Sequence, residues 1–318
     1  MRGKHGLYLA GALLLSALAL VAQGTSKTPQ QTPYVFKANV GEVLVHATVV
    51  NRKGQPATAL PESDFRIYEN GVPQKIQFFA HEDAPVSVGI LIDNSGSMEE
   101  SRPEVDRAAL NFVRASNAQD EMFVVNFNDE YYLDAPFTNN IPQLSDALEH
   151  IESRGGTALY DATIASLDYM NHNAHNDKHV LLIITDGDDD ASRYTLEQTV
   201  RLLQAKNSPL IYCIGIMDHD DTHSMKHQAE KALTALADAT GGQAYFPKTL
   251  AQVNTITQQV AQEIRSQYTF AYHSNQTGAG YRTIHLTVKD RHQKHLSVRT
   301  RAGYYATTGH GSQIPAGR

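Results

Sequence analysis

The sequence predicts an α/β fold in which a doubly wound, mostly parallel sheet is inserted into a small β-sandwich. Three stretches carry this prediction: residues 34–80 have the period of β-strands, residues 86–266 alternate apolar strands with helices, and residues 268–305 return to strands. Strands that are apolar on both faces are typical of a parallel sheet covered by helices on both sides. Because the ends of an inserted domain usually lie close together, the flanking strands can join into one sandwich.

The first β-segment shows alternation and a turn signal. Valine or alanine occupies every second position over residues 43–49, as in a strand with one buried face. Farther on, Asn70 and Gly71 lie between two apolar runs, residues 65–68 and 76–79. Both residue types tolerate positive φ, so the sequence predicts a β-hairpin that pairs these two runs.

The central segment predicts five strands and six helices. The strands are short and apolar, whereas the first helix has Val105, Ala109 and Phe112 on one face. The predicted strands are residues 86–92, 122–127, 180–185, 210–216 and 243–246. The predicted helices are residues 103–116, 141–151, 158–170, 194–205, 225–239 and 250–266.

The last segment predicts strands at residues 268–272, 283–288 and 295–300. We expect them to join the N-terminal strands in one sandwich; the alternative is two separate β pieces. Basic residues are concentrated over residues 291–301, where apolar residues alternate with them, which indicates the solvated face of a strand.

Composition narrows the class of function. The chain has 318 residues, a formal net charge of −7 and a pI near 6.1. That balance argues against a nucleic-acid or anionic-membrane surface, either of which needs a basic patch. The single cysteine, Cys213, lies in an apolar run, so we expect a buried structural thiol.

The N-terminus has the layout of a secretory signal peptide. Arg2 and Lys4 precede an apolar run that ends in small residues, which predicts a signal peptide over residues 1–24 and export to the periplasm, the medium or the cell surface. An uncleaved membrane anchor is the alternative. The predicted organisation continues with a flexible leader, a first β-segment, the α/β domain, a second β-segment and a disordered tail. The respective boundaries are residues 25–33, 34–84, 85–267, 268–306 and 307–318.

Oxygen-bearing side chains follow two of the predicted strands. Asp93, Ser95 and Ser97 come after the first strand, and Asp186 follows strand 180–185. Thr157 comes after two glycines in the loop before a helix. Since ligands of open parallel sheets bind outside the carboxyl ends of the strands, we expect these side chains to converge. Hydroxyls with few carboxylates suit Mg²⁺, which retains several waters; Mn²⁺ and Ca²⁺ are alternatives.

These five positions, in this order, resemble the metal-ion-dependent adhesion site of von Willebrand factor A domains, and the resemblance extends over residues 86–267. The flanking motifs at residues 64–74 and 298–305 resemble the bacterial exported von Willebrand factor A-related family first described in acidobacteria. The resemblance implies that Ser95, Ser97 and Thr157 contact the metal directly or through water. It implies that Asp93 and Asp186 act mainly through water.

The resemblance also implies a mode of binding. Neutral hydroxyls leave the charge of the ion incompletely neutralised, so the ion favours a Glu or Asp from a partner protein. The expected function is therefore an adhesion module and not an enzyme. Two alternatives remain: a structural cell-envelope protein that pairs strands without metal, and a metal-dependent hydrolase with Asp188 or Asp189 as general base.

Two other patterns raise metal hypotheses. Asp186, Asp188, Asp190 and Glu197 have EF-hand spacing, although Ala191 stands where such a loop needs glycine. The simpler interpretation is a solvated acidic loop on the rim. Histidines recur with short spacings that could suit a transition metal, or they are ordinary surface residues. These histidines are His172, His175, His179, His219, His223 and His227.

Overall fold

The computed structural model describes residues 42–81, 83–148, 153–217, 222–289 and 295–307. The predicted signal peptide and leader lie outside the described residues, as does nearly all of the predicted tail. Among the described residues, no helix has the length and apolar character needed to cross a bilayer.

The strands are β1 Glu42–Val50, β2 Phe65–Glu69, β3 Val72–Gln74, β4 Ile76–Ala80, β5 Val86–Asp93, β6 Glu121–Phe127, β7 Tyr131–Thr138, β8 Lys178–Thr185, β9 Leu210–Gly215, β10 Gln243–Tyr245, β11 Tyr268–His273, β12 Gly280–Val288, β13 Ser297–Arg299 and β14 Gly303–Ala306. The helices are α1 Arg102–Arg114, α2 Ile141–Leu148, α3 Leu159–Asn173, α4 Leu196–Leu203, α5 His223–Thr240 and α6 Ala251–Arg265.

The central sheet has six strands in the order β10-β9-β8-β5-β6-β7. All neighbours are parallel except β6 and β7, which pair antiparallel. Apolar side chains of β5 alternate between two buried clusters, with Ile90 and Ile92 in one and Leu91 in the other. Helices α1, α2 and α6 cover the first face and α3, α4 and α5 the second. The doubly wound, mostly parallel sheet is therefore confirmed.

The flanking strands form two four-stranded sheets, in the orders β13-β1-β11-β4 and β14-β12-β2-β3. Each sheet combines strands from both sides of the α/β segment. Their facing side chains share one core, in which Val45, Phe65, Phe270 and Leu286 are buried. The insertion of the α/β segment into one sandwich is confirmed, and the alternative of two separate β pieces is wrong. The exact domain boundaries stay a prediction.

The Asn70-Gly71 turn forms, but its partner strand differs from the prediction. Asn70 and Gly71 have φ values of 48° and 77°, as a two-residue hairpin requires. β2 pairs across this turn with β3, and Ile67 faces Gln74. β4, the predicted partner, instead pairs with β11 in the opposite sheet. The chain therefore crosses between the two sheets at Lys75, directly after the hairpin.

Two further expectations need correction. β7 was not expected, because Asp134 and Pro136 interrupt its apolar pattern; it lies at the sheet edge, where proline is tolerated. The basic cluster is not simply a solvated strand face. Arg299 donates hydrogen bonds to Glu263 and Gln243 of the α/β segment, and Arg301 is only 4% exposed. These arginines join the sandwich to the α/β segment.

Glu69 connects the two flanking motifs inside the sandwich. Its side chain is fully buried and accepts hydrogen bonds from the Tyr272 hydroxyl at 2.6 Å and the Tyr304 hydroxyl at 2.9 Å. The Arg282 guanidinium lies 3.5 Å from the same carboxylate and supplies a positive charge. Because a buried carboxylate needs such partners, the motif glutamate and the motif tyrosine depend on each other.

Lys178 gives the fold a pH dependence. It is buried at the start of β8, and its Nζ donates a hydrogen bond to the Ile264 carbonyl at the end of α6. Burial lowers the pKa of Lys178 from 10.5 to about 7, although the carboxylates of Asp83 and Asp120 oppose this shift. Between these two pH values the unfolded chain holds a proton that the folded chain lacks. Stability should therefore rise with pH by up to about 1.4 kcal/mol per unit.

The test is urea unfolding between pH 7.5 and 9.5 of the wild type and Lys178→Met. We expect the variant to lose the part of the slope due to Lys178. Lys75→Met, at an exposed position, is the control and should keep the wild-type slope. Equal slopes in all three proteins would contradict this account of Lys178.

Candidate metal centre

Two carboxylates meet where β5 and β8 end. The two strands pair in parallel, with Ile92 beside Ile184, so Asp93 is adjacent to Thr185 and one residue short of Asp186. The Thr185 hydroxyl donates a hydrogen bond to Asp93 Oδ2 at 2.5 Å. The parallel register thus brings the two predicted carboxylates to one edge of the sheet, as the sequence predicts.

Asp93 is fixed from both sides. It is fully buried, and its Oδ1 accepts a hydrogen bond from the Ser95 backbone N–H at 2.8 Å. The Thr185 hydroxyl, besides donating to Asp93, accepts from the Gly187 N–H at 2.9 Å. These bonds hold the loops after β5 and β8 together. Asp93 therefore supports the site from beneath.

The serine hydroxyls bridge towards Asp186. Ser95 Oγ and Ser97 Oγ are 3.1 Å apart, and Ser97 Oγ donates a hydrogen bond to Asp186 Oδ2. A 3-10 turn over Gly96–Met98 directs both hydroxyls to this spot. Ser95 is buried, Asp186 half-buried and Ser97 exposed. The site is thus closed below and open to solvent above.

Thr157 joins the same edge through its loop. The loop is tied to the segment after β5 by two backbone bonds: Arg154 N–H to the Asn94 carbonyl at 2.9 Å, and Gly96 N–H to the Gly155 carbonyl at 3.1 Å. Thr157 itself is buried. Hydrogen bonds thus connect four of the predicted residues: Asp93, Ser95, Ser97 and Asp186. Thr157 is connected to them only by the backbone hydrogen bonds of its loop.

Sequence reasoning missed Asp129, and it missed the contact of Asp190 with this loop. Asp129, in the turn between β6 and β7, accepts from the Gly156 N–H at 2.9 Å, and Asp190 accepts from the Thr157 N–H at 2.7 Å. A Cβ at Gly155 would lie 2.0 Å from Asp129 Oδ2, and one at Gly156 would lie 2.5 Å from Asp190 Oδ1. A side chain at either glycine would therefore displace these carboxylates from the backbone N–H groups that they hold.

The acidic stretch 186–190 is not a solvated loop throughout. Asp190 holds Thr157, and Asp189 accepts hydrogen bonds from the Tyr160 N–H and the Ser192 hydroxyl. Asp190, a member of the proposed EF-hand spacing, and Asp189, a proposed general base, therefore both hold the structure of the loop. Asp188 and Asp190 are nevertheless exposed, and Asp189 is half-buried. The expectation of a purely solvated loop is corrected: its aspartates build the rim.

Arg102 is a third residue that the sequence did not reveal. It lies at the start of α1, is 6% exposed, and donates to Asn94 Oδ1 at 2.9 Å and Asn126 Oδ1 at 2.7 Å. Its ion pair with Asp106 measures 2.6 Å. Arg102 thus holds the residue between Asp93 and Ser95 in place. Its cation also lies beneath an edge that carries two carboxylates.

The electrostatics of the site favour a cation. Burial and, next to it, the negative charge of Asp186 raise the pKa of Asp93 from 3.8 to about 7, against the hydrogen bonds from Thr185 and Ser95. The two carboxylates therefore repel each other in a region of low polarity. A divalent cation would relieve this repulsion, and the donors present are all oxygens, as hard cations prefer. The residues fit Mg²⁺, Mn²⁺ or Ca²⁺.

The histidine hypotheses receive no support. Within the described ranges, no group of three or more His, Cys, Asp or Glu side chains is arranged to hold a metal ion. His219 lies outside the described residues, while His223 and His227 are exposed on α5. Cys213 is buried, and burial raises its pKa, as expected for a structural thiol.

Comparisons with known proteins agree with this geometry. Residues 88–188 match the model of the von Willebrand factor type A domain, a range that includes all five residues of the candidate metal centre. No curated protein sequence matches the chain.

Several solved structures are similar. A von Willebrand factor type A protein from Catenulispora acidiphila is 13% identical, with a TM-score of 0.49, over 85% of this chain and 75% of that one. The vWF domain of the type V pili tip protein Mfa5 from Porphyromonas gingivalis is 11% identical, with a TM-score of 0.47, over 57% and 95%. The pilus adhesin SpaC from Lactobacillus rhamnosus GG is 13% identical, with a TM-score of 0.48, over 74% and 42%.

The family match and the observed topology coincide. The matched range begins in β5, ends just after β8 and contains the crossing where Asp93 and Asp186 meet. Residues 88–188 therefore match the von Willebrand factor type A domain model, and they lie in the α/β segment that is inserted into the β-sandwich.

Proposed function

We propose that the chain is an exported protein-binding module that engages an acidic side chain of a partner through a divalent metal. Asp93, Ser95, Ser97, Thr157 and Asp186 would hold the metal, most favourably Mg²⁺. The observation that carries the proposal is the hydrogen-bonded series from Ser95 through Ser97 to Asp186, which opens to solvent at Ser97. We also propose membership in the bacterial exported family whose flanking motifs the chain resembles.

The charge of the donor set explains the choice of partner. Three donors are neutral hydroxyls, and Asp93 lies beneath the others, fully buried. Asp186 is thus the one carboxylate of the set near the open side. A bound divalent cation would keep part of its charge on that side. An Asp or Glu of a partner protein is the side chain best suited to neutralise it.

The adjacent surface has the character of a protein-binding face. Tyr131, Tyr132 and Leu133 are 46–47% exposed at the start of edge strand β7. The turn before them contains Asp129, which holds the Gly156 backbone of the candidate metal centre. Exposed tyrosines are frequent energetic centres of protein interfaces. An acidic ligand at the metal would therefore have an aromatic surface nearby to bind.

The test is selection from a library of random peptides displayed on phage. Peptides are captured in Mg²⁺ and released with EDTA, and each is then remade with its acidic residues as amides. We expect the captured peptides to share an essential Asp or Glu and not to bind the Thr157→Val variant. Capture that persists in EDTA would instead support the metal-independent structural alternative. Binding that survives the loss of every carboxylate would overturn the proposal.

The aromatic surface gives a separate prediction. Tyr132→Ala should weaken binding of a selected peptide by about 30-fold, corresponding to a loss of roughly 2 kcal/mol for a hot-spot residue. Its Mg²⁺ affinity should remain that of the wild type. Val72→Ala, which removes an exposed apolar side chain from the sandwich, is the control. Equal peptide affinity in both variants would exclude this surface from the interface.

The alternative function, strand pairing with other chains, has less support from the structure of the sandwich edges. The four edge strands of the sandwich are short: β3 and β13 have three residues each, β14 has four and β4 has five. Short edges are one means by which proteins avoid pairing with other chains. The peptide selection therefore also tests between the two functions, since strand pairing needs no metal.

A further inference from the structure

A cavity of about 240 Å³ lies between the sandwich and the α/β domain. It is bordered by β1, by the loops that lead into β8 and β9, and by Arg301 before β14. These loops lie at the amino ends of the parallel strands, so the cavity is at the sheet edge opposite to the candidate metal centre. Its volume greatly exceeds the roughly 10–15 Å³ that one water requires.

The alternation of β1 explains how this cavity is formed. Val43 and Val45 are fully buried in the sandwich core, whereas Leu44 and His46 line the cavity from the opposite face of the same strand. Ligand sites occur preferentially where two domains meet. A histidine here is therefore in a wall shared by both parts of the chain.

Arg301 supplies a buried positive charge to this wall. Its guanidinium donates to the backbone carbonyls of Lys206 at 2.7 Å, Ala205 at 2.6 Å and Gly303 at 3.2 Å. These acceptors are neutral, and in the described parts of the chain no carboxylate is found in an ion pair with it. Burial lowers the pKa of Arg301 to about 10, and the group remains a cation at neutral pH. A buried cation without a carboxylate partner favours an anionic ligand.

Two histidines in the wall can add positive charge. His46 Nδ1 is 3.1 Å from the Thr269 hydroxyl, and His179 Nε2 is 2.8 Å from the Asn176 carbonyl. Each ring uses one nitrogen in these bonds, so protonation provides a second N–H donor. The Ser208 hydroxyl also borders the cavity and is buried with no hydrogen-bond partner.

The charges around the histidines are mainly positive. Burial lowers the pKa of His46 well below 6.5, and the charges of Lys178, His179 and Arg301 lower it further. Burial likewise lowers the pKa of His179, against Asp177 and Glu121. Asp177 is the one carboxylate in the lining, while Glu121 pairs with His175 at the mouth. Because Arg301 carries its charge and the described lining has one carboxylate, the cavity favours an anion over a metal cation.

We propose that this cavity binds a small oxyanion, of the phosphate or carboxylate class, between Arg301 and the histidines His46 and His179. The proposal concerns a site separate from the candidate metal centre. The anion would neutralise Arg301 and stabilise the protonated histidines, so binding takes up protons. Affinity should therefore increase as the pH falls.

The test is calorimetric titration of sodium phosphate and of sodium acetate into the wild-type protein in EDTA, near pH 6 and near pH 8, at constant ionic strength. We expect saturable binding of at least one anion, tighter at the lower pH by about tenfold for one linked proton. His46→Gln and His179→Gln should each weaken binding near pH 6 by about fivefold or more. His285→Gln, on the exposed face of β12, is the matched control and should not change it.

EDTA separates this result from the metal-dependent function. Equal binding by the cavity variants and the wild type would overturn the proposal, as would the lack of saturable binding of either anion near pH 6. Circular dichroism of each glutamine variant shows that a loss of binding comes from the cavity and not from unfolding.

Discussion

Gly242→Ala is expected to unfold the protein or to lower its free energy of unfolding by about 4 kcal/mol or more. A Cβ at Gly242 would lie 1.9 Å from the Ile211 carbonyl oxygen and 2.7 Å from the carbonyl carbon. Both atoms belong to the backbone of β9, which lies between β10 and β8 in the central sheet, so no side-chain rotation can relieve the clash. The backbone of a sheet strand would have to move.

The neighbouring glycine shows why the contact is so close. Gly241 ends α5 with a φ of 88°, and a Cβ there would lie 2.4 Å from the Arg301 backbone nitrogen. The two glycines thus pass between β9 on one side and the segment before β14 on the other. The same pair lets the segment before β14 pack against the α/β segment.

The measurement is urea unfolding followed by circular dichroism. Gly54→Ala is the control: a Cβ there would meet nothing within 4 Å, although Gly54 has a positive φ of 75° and Gly242 does not. It should cost only the backbone strain, about 1 kcal/mol. If the two variants lose similar stability, steric exclusion at Gly242 is not the cause.

Asp93→Asn is expected to weaken Mg²⁺ binding by about 10–100-fold, the usual cost of losing an outer-shell ligand. In EDTA the same variant should be more stable than the wild type, by about 1–3 kcal/mol near pH 8. The reason is that burial and the charge of Asp186 raise the pKa of Asp93 to about 7, so its ionisation opposes folding.

The sign of the pH effect follows from this shift. Between pH 4 and pH 7 the folded chain holds a proton on Asp93 that the unfolded chain has released, so this group makes stability fall as the pH rises. Asp93→Asn should remove that fall. Calorimetry with Mg²⁺ and thermal unfolding in EDTA measure the two effects. Asp146→Asn, at an exposed position of α2, removes the same charge and should change neither; a destabilised Asp93→Asn in EDTA would contradict the account.

The fold could be predicted largely because its strands are unambiguous. Residues 88–92 of β5 and 180–184 of β8 are apolar without interruption, and β1 of the sandwich alternates at positions 43–49. β7 was not predicted, because the proline and the polar residues of this strand are compatible with an edge strand but do not indicate one. The partner of β2 was mistaken because a turn signal fixes the turn but not the sheet that the next strand joins.

The candidate ligands of the site could be predicted from the sequence, but the residues that hold the surrounding loops in place could not. Parallel strand ends bring Asp93 and Asp186 together by topology alone. Asp129 and Asp190 accept hydrogen bonds from backbone N–H groups that are distant in the sequence, and no local spacing predicts such bonds. Arg301 was assigned to a solvated strand because its burial depends on the carbonyls of the loop before β9. Long-range contacts of this kind are invisible to periodicity.

The central claim is that the site binds a divalent metal ion and that a carboxylate from a ligand completes the coordination of this ion. It is tested most directly by calorimetric titration of Mg²⁺ into the protein in acetate, which supplies a carboxylate, beside Thr157→Ser and Thr157→Val. The account predicts saturable binding at one site in the wild type, binding retained in Thr157→Ser, which keeps a hydroxyl, and binding lost in Thr157→Val. Absence of Mg²⁺, Mn²⁺ and Ca²⁺ binding in the wild type, or equal affinity in Thr157→Val, would contradict it.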